Sequence, residues 1–175
     1  DNYHAIVSKR HSNSVGYIWW ITNSNSLRFY SKAGTSNIDL NYGSTITDTN
    51  WHHLAVTLDR DGNGVMYKDG SSVGSHSISG WPGSITSTQL FSIGQQTQGV
   101  SIFNQPFDGT IDEVRISKTP RSNSWIKAEY NNQFNPSTFH SIGSEEMQPA
   151  VPIVTNPIPS DSADDVSVSG HGHRN

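Results

Sequence analysis

Trp51-His52-His53-Leu54-Ala55-Val56-Thr57-Leu58-Asp59, followed by Val65-Met66-Tyr67-Lys68, is the stretch on which the fold turns. Leu54, Val56 and Leu58 alternate with His53, Ala55 and Thr57, the period of two that marks a strand with one buried face. Asp61-Gly62-Asn63-Gly64 joins the two runs and Asp69-Gly70 turns the chain again. Gly, Asn and Asp serve such turns because they tolerate positive φ. Working towards the N-terminus, Val15 to Thr22 is β-branched and aromatic, Asn23-Ser24-Asn25-Ser26 reads as a turn, and alternation resumes from Leu27 to Ser31. Those segments predict a second hairpin. Towards the C-terminus, Gln89 to Gly94 and Phe107 to Ser117 supply two later strands. In the last of these the apolar positions change parity between Ile111 and Val114, which reads as a β-bulge or a strand covered on both faces.

Composition points the same way. Of the 175 residues, 32% are apolar and 15% charged, a mix suited to many short strands and few long amphipathic helices. The formal net charge of -4 supplies no broad basic field for nucleic acid. No apolar run is long enough to span a bilayer. Cysteine is absent, so nothing staples the fold, and the chain leans towards a prokaryotic protein. One helix is expected around Trp125 to Tyr130, with Pro120, Ser122 and Ser124 at its start and Ile126 and Tyr130 on one face. Beyond Glu145 the character changes. Four of the eight prolines fall between Pro149 and Pro159, and no aromatic residue follows Phe139, so residues 147–175 read as a linker or the start of a following domain.

Three segments carry a more specific likeness. The Trp51–Asp59 strand with Tyr67-Lys68-Asp69-Gly70 resembles the central hairpin of laminin-G-like domains, and Phe107-Asp108-Gly109-Thr110-Ile111-Asp112-Glu113-Val114-Arg115-Ile116 is similar to their closing strand. Arg121 to Gln133, Pro136-Ser137-Thr138-Phe139 and Gly143-Ser144-Glu145-Glu146 resemble the branch found in large prokaryotic secreted surface proteins. The resemblance implies the all-β antiparallel two-sheet jelly-roll sandwich of the concanavalin A-like lectin/glucanase superfamily. It spans residues 1–146, with one short C-terminal helix. Members usually carry two or three strands before the point matched by Ala5-Ile6-Val7-Ser8-Lys9, and the resemblance implies an N-terminally incomplete domain here. They are expected from an upstream segment, the C-terminal tail or another subunit. The resemblance also implies that Trp51 and Trp125 are packed, and that the domain works extracellularly or at a cell surface.

Catalysis is not expected. A retaining glycosidase needs two carboxylates about 5 Å apart, and neighbouring Asp112 and Glu113 on a strand face opposite ways. Exposed aromatics suit sugar binding instead, since Trp and Tyr rings stack on pyranose faces. Trp19 and Trp20 are adjacent, so only one can face the core. Trp81, in Gly80-Trp81-Pro82-Gly83, has no core periodicity around it and is the foremost candidate contact, followed by Tyr30 and Trp20. Core or loop packing is the commoner fate of any Trp. For metals, the resemblance implies a structural Ca2+ with Asp112 as a ligand and Asp108 as a weaker one; the competing reading is a carboxylate that caps amides or pairs with Arg115. Asp59-Arg60-Asp61-Gly62-Asn63-Gly64 begins like a calcium loop but has Gly70 where a bidentate Glu is required, so it reads as a turn. His52 and His53 face opposite ways and cannot chelate together; His171 and His173 lie in the tail. The expected function is carbohydrate recognition by an adhesive module of a multidomain protein. The alternative is an assembly module that exchanges strands between subunits.

Overall fold

The computed structural model describes residues 3–10, 14–43, 46–81, 83–98, 102–139 and 143. The Leu27–Ala33 run shows how the sequence builds sheet: Leu27, Phe29, Ser31 and Ala33 are buried and the residues between them are not. This is the third strand in chain order, after β1 (His4–Ser8) and β2 (Gly16–Ile21), and β3 continues into β4 (Ser36–Tyr42). These pair antiparallel in the order β4-β3-β2-β1, and β8 (Ser92–Ile93) closes the five-stranded sheet beside β1. A second, three-stranded sheet is made by β5 (Leu54–Leu58), β6 (Asn63–Lys68) and β7 (Ser71–Ser77). A small ribbon joins β9 (Gln96–Gln98) to β10 (Ile102–Asn104). Two antiparallel sheets with one short helix of three turns agree with the expected jelly-roll sandwich.

The core lies between the sheets. Ile6, Trp19, Ile21, Leu27, Phe29, Ile38 and Leu40 meet Met66 and Ile78, with Leu54, Val56, Leu58 and Val73 packed at the margin. Adjacent Trp19 and Trp20 divide as their spacing requires. Trp19 enters this core, whereas Trp20 joins Ala5 and Ile18 on the opposite face. The β6–β7 connection is a two-residue turn in which Asp69 and Gly70 both take positive φ, 51° and 72°, the geometry that matches strand twist in a tight hairpin. The Asp61–Gly64 turn differs from expectation, because none of its residues has positive φ. Instead the Asp59 carboxylate accepts from Asp61 N at 3.1 Å and the Asp59 carbonyl from Gly62 N at 3.0 Å.

Further differences are physical. Strands β4 and β7 were not anticipated, and the Gln89–Gly94 strand contracts to Ser92–Ile93. Phe107 to Ser117 joins no sheet. Phe107 and Ile111 pack on the core, but at Glu113 the backbone turns left-handed (φ 53°) and Asp112 Oδ1 accepts from Glu113 N at 2.8 Å. The parity change between Ile111 and Val114 is therefore a left-handed residue rather than a bulge in a ladder. Beyond it, Arg115 pairs with Glu113 and Glu129 and Ile116 is 65% exposed. Trp51 and Trp125, expected to be packed, are exposed at 70% and 39%.

Helix α1 (Asn123–Phe134) begins where Ser122 accepts from Trp125 N at 3.2 Å, and α2 (Pro136–Phe139) follows. Its buried residue is Ile126. Tyr67 donates to Asn123 Oδ1, and the Tyr130 ring lies 6.2 Å from His53. These contacts dock α1 on the outer face of the three-stranded sheet. Asp1–Ser141 forms one compact unit; the expected linker or start of a following domain and both tail histidines lie outside the described residues. No helix among the described residues is long and apolar enough to cross a membrane.

Candidate ligand groove

Two sheet edges create a concavity. Strand β4 ends one sheet and β7 ends the other, and between them lies a groove of about 430 Å³. Asn37 and Asp39 line it from β4, His76 and Ser77 from β7, and Ser79 and Trp81 from the loop that follows. The polar lining follows from period two. Ile38 and Leu40 point into the core, so Asn37, Asp39 and Asn41 must point out.

Trp81 is held by backbone and by charge. Its amide donates to Ile78 O at 3.1 Å, and Arg60 Nη2 donates to its carbonyl at 3.0 Å and to Gly83 O at 2.5 Å. The guanidinium carbon of Arg60 sits 5.0 Å from the indole centroid. Part of the ring packs on the core margin, and Nε1 is buried with no hydrogen-bond partner among the described residues. Asp39 is the groove's carboxylate among the described lining residues. Arg28 holds it through two charge-assisted hydrogen bonds of 2.8 and 2.6 Å.

The other two aromatics named from the sequence lie elsewhere. Tyr30 is on the outer face of the five-stranded sheet, cross-strand from Asp39, with the Arg10 guanidinium 4.4 Å above its ring. Trp20 is 8% exposed, covered by Tyr3 at 5.6 Å and Arg28 at 5.6 Å. Only Trp81 therefore lines the groove. Asn37, Asp39 and His76 escaped the sequence reading because their strands did, although Ile38, Leu40 and Tyr42 alternate visibly with Asn37, Asp39 and Asn41.

Asp108 and Asp112 are both exposed, and Asp112 commits one oxygen to the Glu113 amide. No group of three His, Cys, Asp or Glu assembles among the described residues. Calcium takes six to eight oxygens, so a site at Asp108 and Asp112 would need backbone carbonyls or water for the remainder. His52 and His53 indeed diverge: His52 lies between Asp69 (2.8 Å) and Asp48 (3.1 Å), and His53 faces Glu129 at 3.9 Å.

Residues 1–127 match the laminin-G family model described as "Concanavalin A-like lectin/glucanases superfamily". The chain belongs to this superfamily. This concanavalin A-like domain is 26% identical to the S-layer domain-containing protein (residues 221–444) from Clostridium thermocellum ATCC 27405, over 68% of this chain and 58% of that one, with a TM-score of 0.39. The receptor binding domain of botulinum neurotoxin D shares the fold at 18% identity, over 77% of this chain and 33% of that one, with a TM-score of 0.50. The concanavalin A-like chain thus spans less than two thirds of either. None of the curated proteins matches it.

Proposed function

We propose that this domain is an extracellular or cell-surface binding module that takes a glycan in the groove between β4 and β7. The observation carrying this reading is the lining itself: an immobilised indole beside the amide of Asn37, the carboxylate of Asp39, the His76 ring and the hydroxyls of Ser77 and Ser79. Apolar rings with a few convergent polar groups are what pyranose recognition requires. Asp39 is the carboxylate among its described lining residues, a group that accepts hydrogen bonds from sugar hydroxyls. A glycan array run with and without calcium tests the reading. Binding should be specific, unchanged by the ion, and reduced about tenfold or more in Trp81→Ala. An array that stays silent with the folded wild-type domain would overturn it.

A second reading has its own observation. Among the described residues β5 has a strand neighbour on one side only, and Phe107 to Ser117, strand-like in sequence, joins no ladder. An open edge recruits strands, so this reading makes the domain an assembly unit that exchanges strands. Concentration-dependent dimers in sedimentation, abolished by Ile116→Pro, would favour it; a monomer at all concentrations would end it.

A further inference from the structure

The outer face of the five-stranded sheet can be mapped in rows from its registers. Ser8 faces Ile18, Ile18 faces Tyr30 and Tyr30 faces Asp39. One step further along β1, Lys9 N donates to Tyr17 O at 2.8 Å, which aligns Arg10 with Gly16. Gly16 faces Lys32, and Lys32 faces Asn37. The row therefore reads Arg10, Gly16, Lys32, Asn37. Gly16, itself buried, lies between the two cations, and no other residue fits there: its φ is 132° and a Cβ would lie 2.1 Å from the Lys9 carbonyl.

Two cations thus stand on either side of Gly16 in one row. Arg10 is 8% exposed, lies 4.4 Å over Tyr30, and has a buried Nε with no hydrogen-bond partner among the described residues. The ion pairs of the described residues engage Arg28 and Arg115 but neither Arg10 nor Lys32. Burial pulls the Arg10 guanidinium below its ordinary value, opposed only by Tyr30. Guanidinium stays charged in proteins, and a desolvated charge is costly unless a counter-charge meets it.

We infer that Arg10, Tyr30 and Lys32 form an oxyanion site that takes the carboxylate of a uronate sugar. The planar guanidinium presents paired N–H groups that match a carboxylate, the Tyr30 ring fixes its plane, and Lys32 adds a point charge. Asn37 stands next to Lys32 and also lines the Trp81 groove, so an acidic oligosaccharide would run from the groove onto this face. The inference rests on the glycan-binding reading for the sugar; the anion site itself stands on Arg10.

Calorimetry of the whole chain with an oligogalacturonate, its methyl ester and a sulfated neutral oligosaccharide tests this. It is read beside the Arg10 Nε–H signal in nitrogen-15 spectra. The free acid should bind about tenfold tighter than its ester and weaken with salt. Lys32→Gln and Arg10→Gln should each remove that advantage while leaving the ester unaffected. Should Arg10→Gln misfold, half-buried Lys32 and the wild-type spectrum carry the test. Equal affinity for acid and ester overturns the inference and leaves the glycan reading intact. Tighter binding of the sulfated oligomer overturns the carboxylate assignment. If no oligomer binds but free galacturonate moves the Arg10 signal, the anion site stands and the glycan reading falls. A signal that responds to none of them overturns the site.

Discussion

Leu40 and Gly74 show how closely the sandwich is fitted at single positions. Leu40 is 1% exposed in the core, so Leu40→Ala should cost about 2–5 kcal/mol in urea unfolding, through lost transfer energy and the cavity left behind. Gly74 faces the opposite problem. A Cβ there would lie 2.2 Å from the Tyr42 ring, and Gly74→Ala should cost about 1–3 kcal/mol by overpacking. The same scale decides how far the site was readable. Trp81 stood out because nothing around it had a core period, and it does line the groove. Arg10 gave no signal, because a lone arginine after a strand looks like any solvated charge; only the sheet register shows that Gly16 leaves it beside Tyr30. Trp20 was readable as an outward residue, but not its cover of Tyr3 and Arg28, which come from the segment before β1 and from β3.

At the scale of elements, α1 and the β6–β7 turn carry sharp expectations. Ser122 supplies the N-cap of α1, so Ser122→Ala should lower stability by about 0.5–2 kcal/mol, measured in the same urea titrations. Gly70 pairs a φ of 72° with a Cβ position 2.9 Å from Tyr130. Gly70→Ala should therefore cost more than backbone strain alone, about 1–3 kcal/mol, and loosen α1 in hydrogen exchange. Strands with strong alternation and β-branched residues, such as β2, β3, β5 and β6, were legible. Ser-Ser-Val-Gly-Ser-His-Ser was not, because only Val73 packs on the core; pairing with β6 makes β7 a strand, and that pairing is tertiary. Phe107 to Ser117 fails in the other direction. Its pattern is strand-like, yet a ladder needs a second backbone, and left-handed Glu113 with the Asp112 amide contact satisfies the chain locally instead.

For the whole molecule, pH is the informative variable. His53 sits between the three-stranded sheet and α1, where burial lowers its proton affinity below the ordinary value of 6.5 while Glu129 and Asp69 pull the other way. The unfolded chain then holds the proton to higher pH than the folded one. Stability is fully present above about pH 6.5 and falls as pH drops through that value towards the depressed folded pKa. Urea midpoints at about pH 7.5 and about pH 5.5 should differ in that direction, and His53→Gln should reduce the difference. Fold class was legible at this scale because composition and alternation agree along the chain. The placement of α1 over His53 was not, since it depends on Tyr67 and Tyr130 meeting Asn123 and Gly70 across the sheet.

The edge of β5, unpaired among the described residues, has a consequence for copies joined in series. Linked by a short flexible segment, two such domains would experience one another at an effective concentration in the millimolar range. Under the assembly reading, exchange of the 107–117 segment would then become an intramolecular event. A tandem repeat should accordingly refold more slowly and with more cross-paired product than an equimolar mixture of single units.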